Sequence, residues 1–325
     1  MDICIRADGG SNIGMGHIMR TLAVAKELSK NHNVFYACRV DKPLSDKYKP
    51  GIDKIKSEGL KVIYVDENNI INDISKIQAD CIITDSYDVD EKYFDELKKI
   101  FKISGCLDDE KTCNYFNVDF LINQNIYGSK LNYKVNKDTE LMLGCDYVIL
   151  RNEFIGLSDR FINKTVQKIM ITVGGSDNDN LTEKILEKLA EFKGEIYIVV
   201  GPGFTNINEL MKYKSDNVKL CVNPVMSKLM LECDLAIASC GTTLFELASC
   251  GTPTIGIIAA ENQEFAAKYM DEEGVIKYSS IEDIFSIIKT LDYEKRYDMS
   301  IKGKKLIDGM GIKRIVSNIE RRFNI

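Results

Sequence analysis

The sequence predicts an α/β protein built as two doubly wound parallel-sheet domains. Short, continuous apolar runs alternate with amphipathic stretches from one end to the other. Strands that are apolar on both faces belong to parallel sheets covered by helices on each side. The alternation occurs twice, in series of similar size, and 325 residues suffice for two hydrophobic cores.

In the first half, apolar runs predict strands at 3–8, 34–39, 61–65, 81–85, 102–107 and 120–123. The stretches between them carry apolar residues at helical spacing and predict helices at 17–29, 52–58, 70–77 and 91–100. In the second half, strands are expected at 169–173, 196–200, 218–221, 235–238 and 254–258, and helices at 181–191, 207–213, 228–232, 244–249 and 265–273. Ser158, Asp159, Arg160 and Asn163 interrupt the periodicity, which places the break at 156–164. The expected domains are therefore 1–155 and 164–311. A last helix from Ile312 to Phe323, within 312–325, is expected to pack near the domain boundary. Ligands of such sheets gather at the carboxyl ends of strands, so the expected ligand site is a cleft between the two domains.

Composition narrows the function. A formal net charge of −6 argues against a broad electrostatic hold on nucleic acid. Lys302, Lys304 and Lys305, and Arg321 with Arg322, read as solvated helix faces. Ten cysteines occur without a C-x-x-C pair, many inside apolar runs, which fits a reducing compartment and speaks against zinc. No apolar run reaches the ~20 residues of a membrane helix, and the first residues read as a strand, not a leader. The expectation is a cytoplasmic monomer without stable membrane insertion, metal or cofactor.

Three glycine-rich strand-to-helix turns stand out. The first holds Asp8, Gly14, Gly16 and His17, with Arg20 one turn on; the second is Gly174, Gly175, Ser176 and Asp177; the third is Gly241, Thr242 and Thr243, followed by Glu246. Each reads as helix capping or as a cradle for an anion, because N–H groups at a helix start favour negative charge. Three together favour a phosphate-bearing ligand. The first turn lacks the third glycine of the dinucleotide fingerprint, since Met19 stands there, and it has no G-K-[S/T] ending. His17, one of two histidines, opens a helix, where a neutral proton-accepting ring and a mere cap are equal readings. His32 reads as a turn residue. Asp8, at a strand end, can meet the ligand or orient His17. Arg6 and Arg20 can pair with acids or with phosphate, and Glu246 can hold two ribose hydroxyls or favour the helix dipole.

These residues together resemble a known family. Arg6-x-Asp8 with Ile13-Gly14-x-Gly16-His17-x-x-Arg20, the 143–154 stretch and the glycines at 174 and 175 resemble the nucleotide-sugar hydrolases of pseudaminic acid biosynthesis. The segment from Val222 through Glu246 to Pro253 is similar to the wider GT-B group related to the lipid II-forming N-acetylglucosaminyltransferase. The resemblance implies a GT-B architecture, two Rossmann-like domains facing a cleft, with UDP on the C-terminal one. It implies that Val225 and Met226 meet uracil, that Gly241, Thr242 and Thr243 hold phosphate, and that Glu246 holds ribose. Asn262 and Gln263 would reach the sugar or its phosphate, beside Asp8, Gly14, Gly16, Arg20, Gly174, Gly175 and Ser176. His17 would activate water for inverting attack on the anomeric carbon of a UDP-linked diacetamido-trideoxy sugar, without metal. The alternative is a GT-B glycosyltransferase that passes the sugar to an acceptor.

Overall fold

The structure is a computed structural model that describes residues 1–11 and 13–323, so Asn12 and the last two residues of the 312–325 segment lie outside the described residues. It divides into two compact units, 1–151 with 310–325, and 152–309.

In the first unit the chain runs β1 (Asp2–Ala7), α1 (Gly16–Leu28), β2 (Asn33–Val40), α2 (Lys49–Ser57), β3 (Lys61–Asp66), α3 (Ile70–Ile74), β4 (Cys81–Asp85), α4 (Glu91–Ile100), β5 (Ile103–Leu107), β6 (Phe120–Asn123) and β7 (Glu140–Leu143). The strands form one parallel sheet ordered β3-β2-β1-β4-β5-β6-β7. Helices cover both faces: Ile18, Leu22, Ala25 and Leu28 of α1 pack on one, and Tyr93, Phe94 and Leu97 of α4 on the other. Asp90 caps α4 by accepting from the Tyr93 amide at 2.7 Å.

The second unit runs β8 (Lys168–Thr172), α5 (Leu181–Lys188), β9 (Glu195–Val200), α6 (Ile207–Leu210), β10 (Val218–Val222), α7 (Met226–Glu232), β11 (Leu235–Ser239), α8 (Thr243–Ser249), β12 (Thr254–Ile257), α9 (Glu264–Glu272), β13 (Lys277–Tyr278), α10 (Ile284–Thr290) and α11 (Tyr293–Leu306). Its parallel sheet is ordered β10-β9-β8-β11-β12-β13. Ile169, Ile171, Ile198, Ile237 and Ile255 form the core beneath it. The last helix, α12 (Gly311–Arg322), joins the first unit, where Ile312, Ile315, Val316 and Ile319 enter the same core as α1.

The segment read as a linker is fastened to the second unit. Arg160 donates to the carbonyls of Met230 and Cys233 and to Thr252 Oγ1. The buried Arg296 donates to the carbonyls of Asn163 and Lys164, both at 2.9 Å. Asn163 Nδ2 donates to Asp234 at 2.6 Å. Polar residues that break a periodicity need not be solvent-facing: Ser158, Asp159 and Asn163 are exposed, but Arg160 turns inward onto backbone carbonyls. His32 likewise is more than a turn residue, since its Nε2 lies 3.1 Å from Glu320 of α12.

Replacing Arg160 by Met is expected to destabilise the second unit by about 2–4 kcal/mol, because charge-assisted bonds to buried carbonyls are lost. Urea unfolding with protease cleavage across 155–164 checks this; a wild-type midpoint with no new cleavage would mean the segment is held by other contacts.

Candidate active site

The first sheet changes direction between β1 and β4. The chain leaves β1 toward β2 on one side and leaves β4 toward β5 on the other, which opens a crevice at the carboxyl ends of these two strands. Ala7 of β1 pairs with Asp85, the last residue of β4, so both strands end at this crevice. Helix α1 starts beside it with Met15 as a cap that makes no side-chain bond and with no acidic residue in its first turn. The first turn instead presents His17. A cavity of ≈ 320 Å³ is lined by Asp8, Ile13, His17, Arg39, Lys47 and the 85–88 loop.

His17 Nδ1 lies 2.6 Å from Asp85 Oδ1, and Asp85 has no exposed side-chain surface. Burial pushes the Asp85 carboxyl upward. The Arg20 charge, its hydrogen bonds and the bond from His17 outweigh that and hold it below its ordinary value. An ionised carboxylate only accepts, so Nδ1 carries a proton toward it, and the neutral tautomer this selects has its lone pair on Nε2. Arg20 Nη2 is also 3.3 Å from Nδ1, but the closer Asp85 oxygen decides the tautomer. The ring stands edge-on to Tyr87, with centroids 4.7 Å apart. The arrangement can take a proton from water or hydroxyl and stabilise the resulting imidazolium.

Three expectations are corrected here. Asp8 does not orient His17; Asp85 does. The Asp8 carboxylate accepts from the Arg39 amide at 2.8 Å and from Arg39 Nε at 2.7 Å. Arg6 Nη1 lies 2.9 Å from it but off the hydrogen-bonding direction, which makes that contact Coulombic. Arg20 is engaged with protein carboxylates, not aimed at a ligand. Its Nε and Nη2 fork onto the two Asp85 oxygens, each at 2.6 Å, and Nη1 donates to Asp109 at 2.5 Å. Gly14 does not offer its amide to a phosphate. The Gly10 and Gly14 amides donate to each other's carbonyls at 3.1 and 2.8 Å, and Gly14 adopts φ +79° to close this small loop. At Gly16, where α1 begins, a Cβ would meet nothing within 4 Å.

The second sheet repeats the change of direction between β8 and β11. Gly174 follows β8 at φ +111°, and the Gly175 carbonyl accepts from Gly203 at 2.8 Å. A Cβ on Gly201 would stand 2.6 Å from the Gly175 oxygen, so these loops meet backbone to backbone. Gly175 and Ser176 are exposed, whereas Asp177 caps α5 by accepting from Leu181 and Thr182. Beyond β11 come Gly241, Thr242 and Thr243, then Glu246 in the first turn of α8. Gln263 Oε1 accepts from the Cys240 amide at 3.1 Å and the Ala259 amide at 2.9 Å, so it ties the loops after β11 and β12 together. Asn262 beside it is exposed, as is Val225, with Met226 opening α7. The predicted residues of this unit thus gather at the carboxyl end of its sheet, while Asp8, His17 and Arg20 gather at that of the first.

Sequence reasoning missed Asp85, Tyr87, Asp109 and Arg39. The signal for Asp85 was present: it is an acid at the end of an otherwise uncharged apolar strand, Cys81-Ile82-Ile83-Thr84.

The family described as "Protein of unknown function (DUF354)" matches residues 166–318. An uncharacterized protein of Methanocaldococcus jannaschii is 34% identical over 283 residues, 81% of this chain and 57% of that protein. The UDP-2,4-diacetamido-2,4,6-trideoxy-beta-L-altropyranose hydrolase of Campylobacter jejuni is 28% identical over 282 residues, 84% of this chain and 97% of that one. The chain spans about half the length of the first two curated relatives it matches. Among solved structures, MurG of Acinetobacter baumannii has a TM-score of 0.67 at 15% identity, covering 98% of this chain and 99% of that one. A UDP-glucosyltransferase from Polygonum tinctorium has a TM-score of 0.72 at 11% identity, covering 100% and 98%. No helix among the described residues is long and apolar enough to cross a membrane. At the level of architecture the chain has the GT-B fold of the solved glycosyltransferases, two Rossmann-like parallel-sheet units.

Proposed function

We propose that this chain hydrolyses a UDP-linked diacetamido-trideoxy sugar to the free sugar and UDP, a step in nonulosonic acid biosynthesis. The observation that carries the reading is the His17–Asp85 pair, set at the directional break of the first sheet and bordering a cavity. The likeness to the Campylobacter hydrolase over most of both chains supports it. In the reaction a water oxygen attacks the anomeric carbon and its proton passes to His17 Nε2. The bond from that carbon to the phosphate oxygen breaks, and UDP leaves with the electron pair. Attack opposite the leaving group inverts the carbon. Asp85 holds the ring in the accepting tautomer and stabilises the imidazolium. UDP is assigned to the second unit: phosphate to Gly241, Thr242 and Thr243, ribose to Glu246, uracil to Val225 and Met226, with Gly174, Gly175, Ser176 and Asn262 toward the sugar phosphate. N–H groups and hydroxyls there absorb the charge of the leaving diphosphate.

The second reading, a glycosyltransferase using the same donor, is favoured by the fold of MurG and the plant enzyme. Release of UDP with no acceptor present supports hydrolysis; release only on adding an acceptor supports transfer.

His17→Ala is expected to lower kcat by roughly 10²–10⁴-fold, and Asp85→Asn to do so by a similar factor through the wrong tautomer. UDP affinity by calorimetry should stay within threefold in both, at roughly 0.6 kcal/mol or less. Near-normal turnover in His17→Ala would sink the mechanism.

Glu246→Ala is expected to weaken UDP binding by about 1–3 kcal/mol, because the ribose hydroxyls lose a charged acceptor. The loss should largely vanish for 2′,3′-dideoxy-UDP. Equal losses for both nucleotides would assign Glu246 to loop support.

A further inference from the structure

The guanidinium of Arg20 is nine-tenths buried and faces two carboxylates. We propose that Arg20, clamped between Asp85 and Asp109, is a positioning residue that fixes the His17 ring, and that Asp109 is the outer anchor of this clamp. The proposal rests on reading His17 as the base, but its first test involves no reaction.

The geometry closes into a circuit. The Arg20 fork engages both oxygens of Asp85, which sets the plane of that carboxylate. The same Oδ1 that accepts from Arg20 Nη2 accepts from His17 Nδ1. Without the fork, the carboxylate could turn about its terminal torsion, which is broad and soft, and present either oxygen to the ring. The third Arg20 nitrogen, Nη1, reaches Asp109 Oδ2. That oxygen also accepts from the Tyr87 hydroxyl at 2.9 Å, and the Tyr87 ring stands edge-on to His17. His17 is therefore held twice, at Nδ1 through Asp85 and at its ring through Tyr87, and both holds trace back to Asp109.

Asp109 is itself fastened. Its Oδ1 accepts from Asn125 Nδ2 at 2.9 Å, and Asn125 in turn is held by Asn123 at the end of β6. The anchor thus joins the loops after β4, β5 and β6 to the first turns of α1. Its neighbour Asp108 does other work, accepting from the Lys111 and Thr112 amides and from the Tyr133 hydroxyl. In the sequence, Asp108-Asp109-Glu110 reads as an ordinary acidic loop, with nothing to set the middle residue apart.

The chain has only two histidines, which makes the ring readable directly. The full chain is labelled with ¹⁵N-histidine and its ring nitrogens are followed by long-range ¹H–¹⁵N correlation. His32→Gln assigns the two rings. The wild type is expected to show His17 as a single tautomer with the proton on Nδ1. Arg20→Met and Asp109→Asn are each expected to mix the tautomers, with Arg20→Lys restoring the wild-type pattern in part. In turnover of the UDP-sugar, Arg20→Met should lower kcat by roughly 10–100-fold and Asp109→Asn by less, with KM within about threefold, as expected of a group that positions another. Should Arg20→Met fail to fold, Asp109→Asn decides the matter, since it leaves the Arg20 fork on Asp85 in place. A folded Asp109→Asn with the wild-type ring spectrum and kcat overturns the proposal and makes the contact packing alone. If the wild type releases no UDP, the hydrolase reading fails, and the ring spectrum still decides the clamp.

Discussion

Everything at the first crevice depends on keeping one buried carboxylate charged. Asp85 ends β4 with no exposed side-chain surface, where an isolated carboxylate would take up a proton instead of paying the several kcal/mol of lost hydration. Arg20 removes that outcome by meeting both oxygens. Once Asp85 is an anion, the tautomer of His17 follows, and so does the requirement that α1 begin without acids of its own. A glutamate in the first turn would compete for the imidazole and for Arg20. The glycines before His17 work from the backbone side, since the Gly10–Gly14 bridge lies just before the start of α1.

The two units apply one topological rule with different materials. In each, the chain leaves two neighbouring parallel strands in opposite directions and opens a gap at their carboxyl ends. The first gap is furnished with charged side chains locked to one another: Asp8 with Arg39, Asp85 with Arg20 and His17. The second is furnished with backbone: Gly174 at positive φ, the Gly175–Gly203 bond and loops tied by Gln263. Side chains suit proton transfer, which needs a titrating atom at a fixed place. Backbone amides suit an anion, whose charge is spread over several oxygens.

Strand after strand was legible because buried parallel strands have an unmistakable pattern, as at Cys81–Asp85 and Phe120–Asn123, whose bounds the sequence reading matched. What escaped lacked that pattern. Glu140–Leu143 is a four-residue edge strand with a charge at its start, and Lys277–Tyr278 has two exposed residues. Helix α11 buries Arg296, Ser300 and Gly303 beside the single apolar Met299, so no apolar stripe announces it. In the site, His17 was legible from its place after two glycines, whereas the partner of Arg20 was not. An arginine that awaits a phosphate and one that holds an aspartate are the same letter, and only the fold brings residue 85 to residue 20. The 156–164 segment misled for a related reason: Arg160 faces carbonyls of Met230 and Cys233, and a sequence does not say which way a polar side chain faces.

Helix α12 gives the first unit an unusual order of assembly. Its isoleucines fill the same core as α1, yet they are translated only after the whole of 152–309. At ribosomal speeds of ~5–20 residues per second, that interval is roughly eight to thirty seconds. During it, the nascent first unit lacks the α12 residues that pack in the same core as α1. The unit that starts first is completed last, and the second unit can close its own core while the first still waits. The apolar core beneath α1 is complete only when synthesis has passed Ile319.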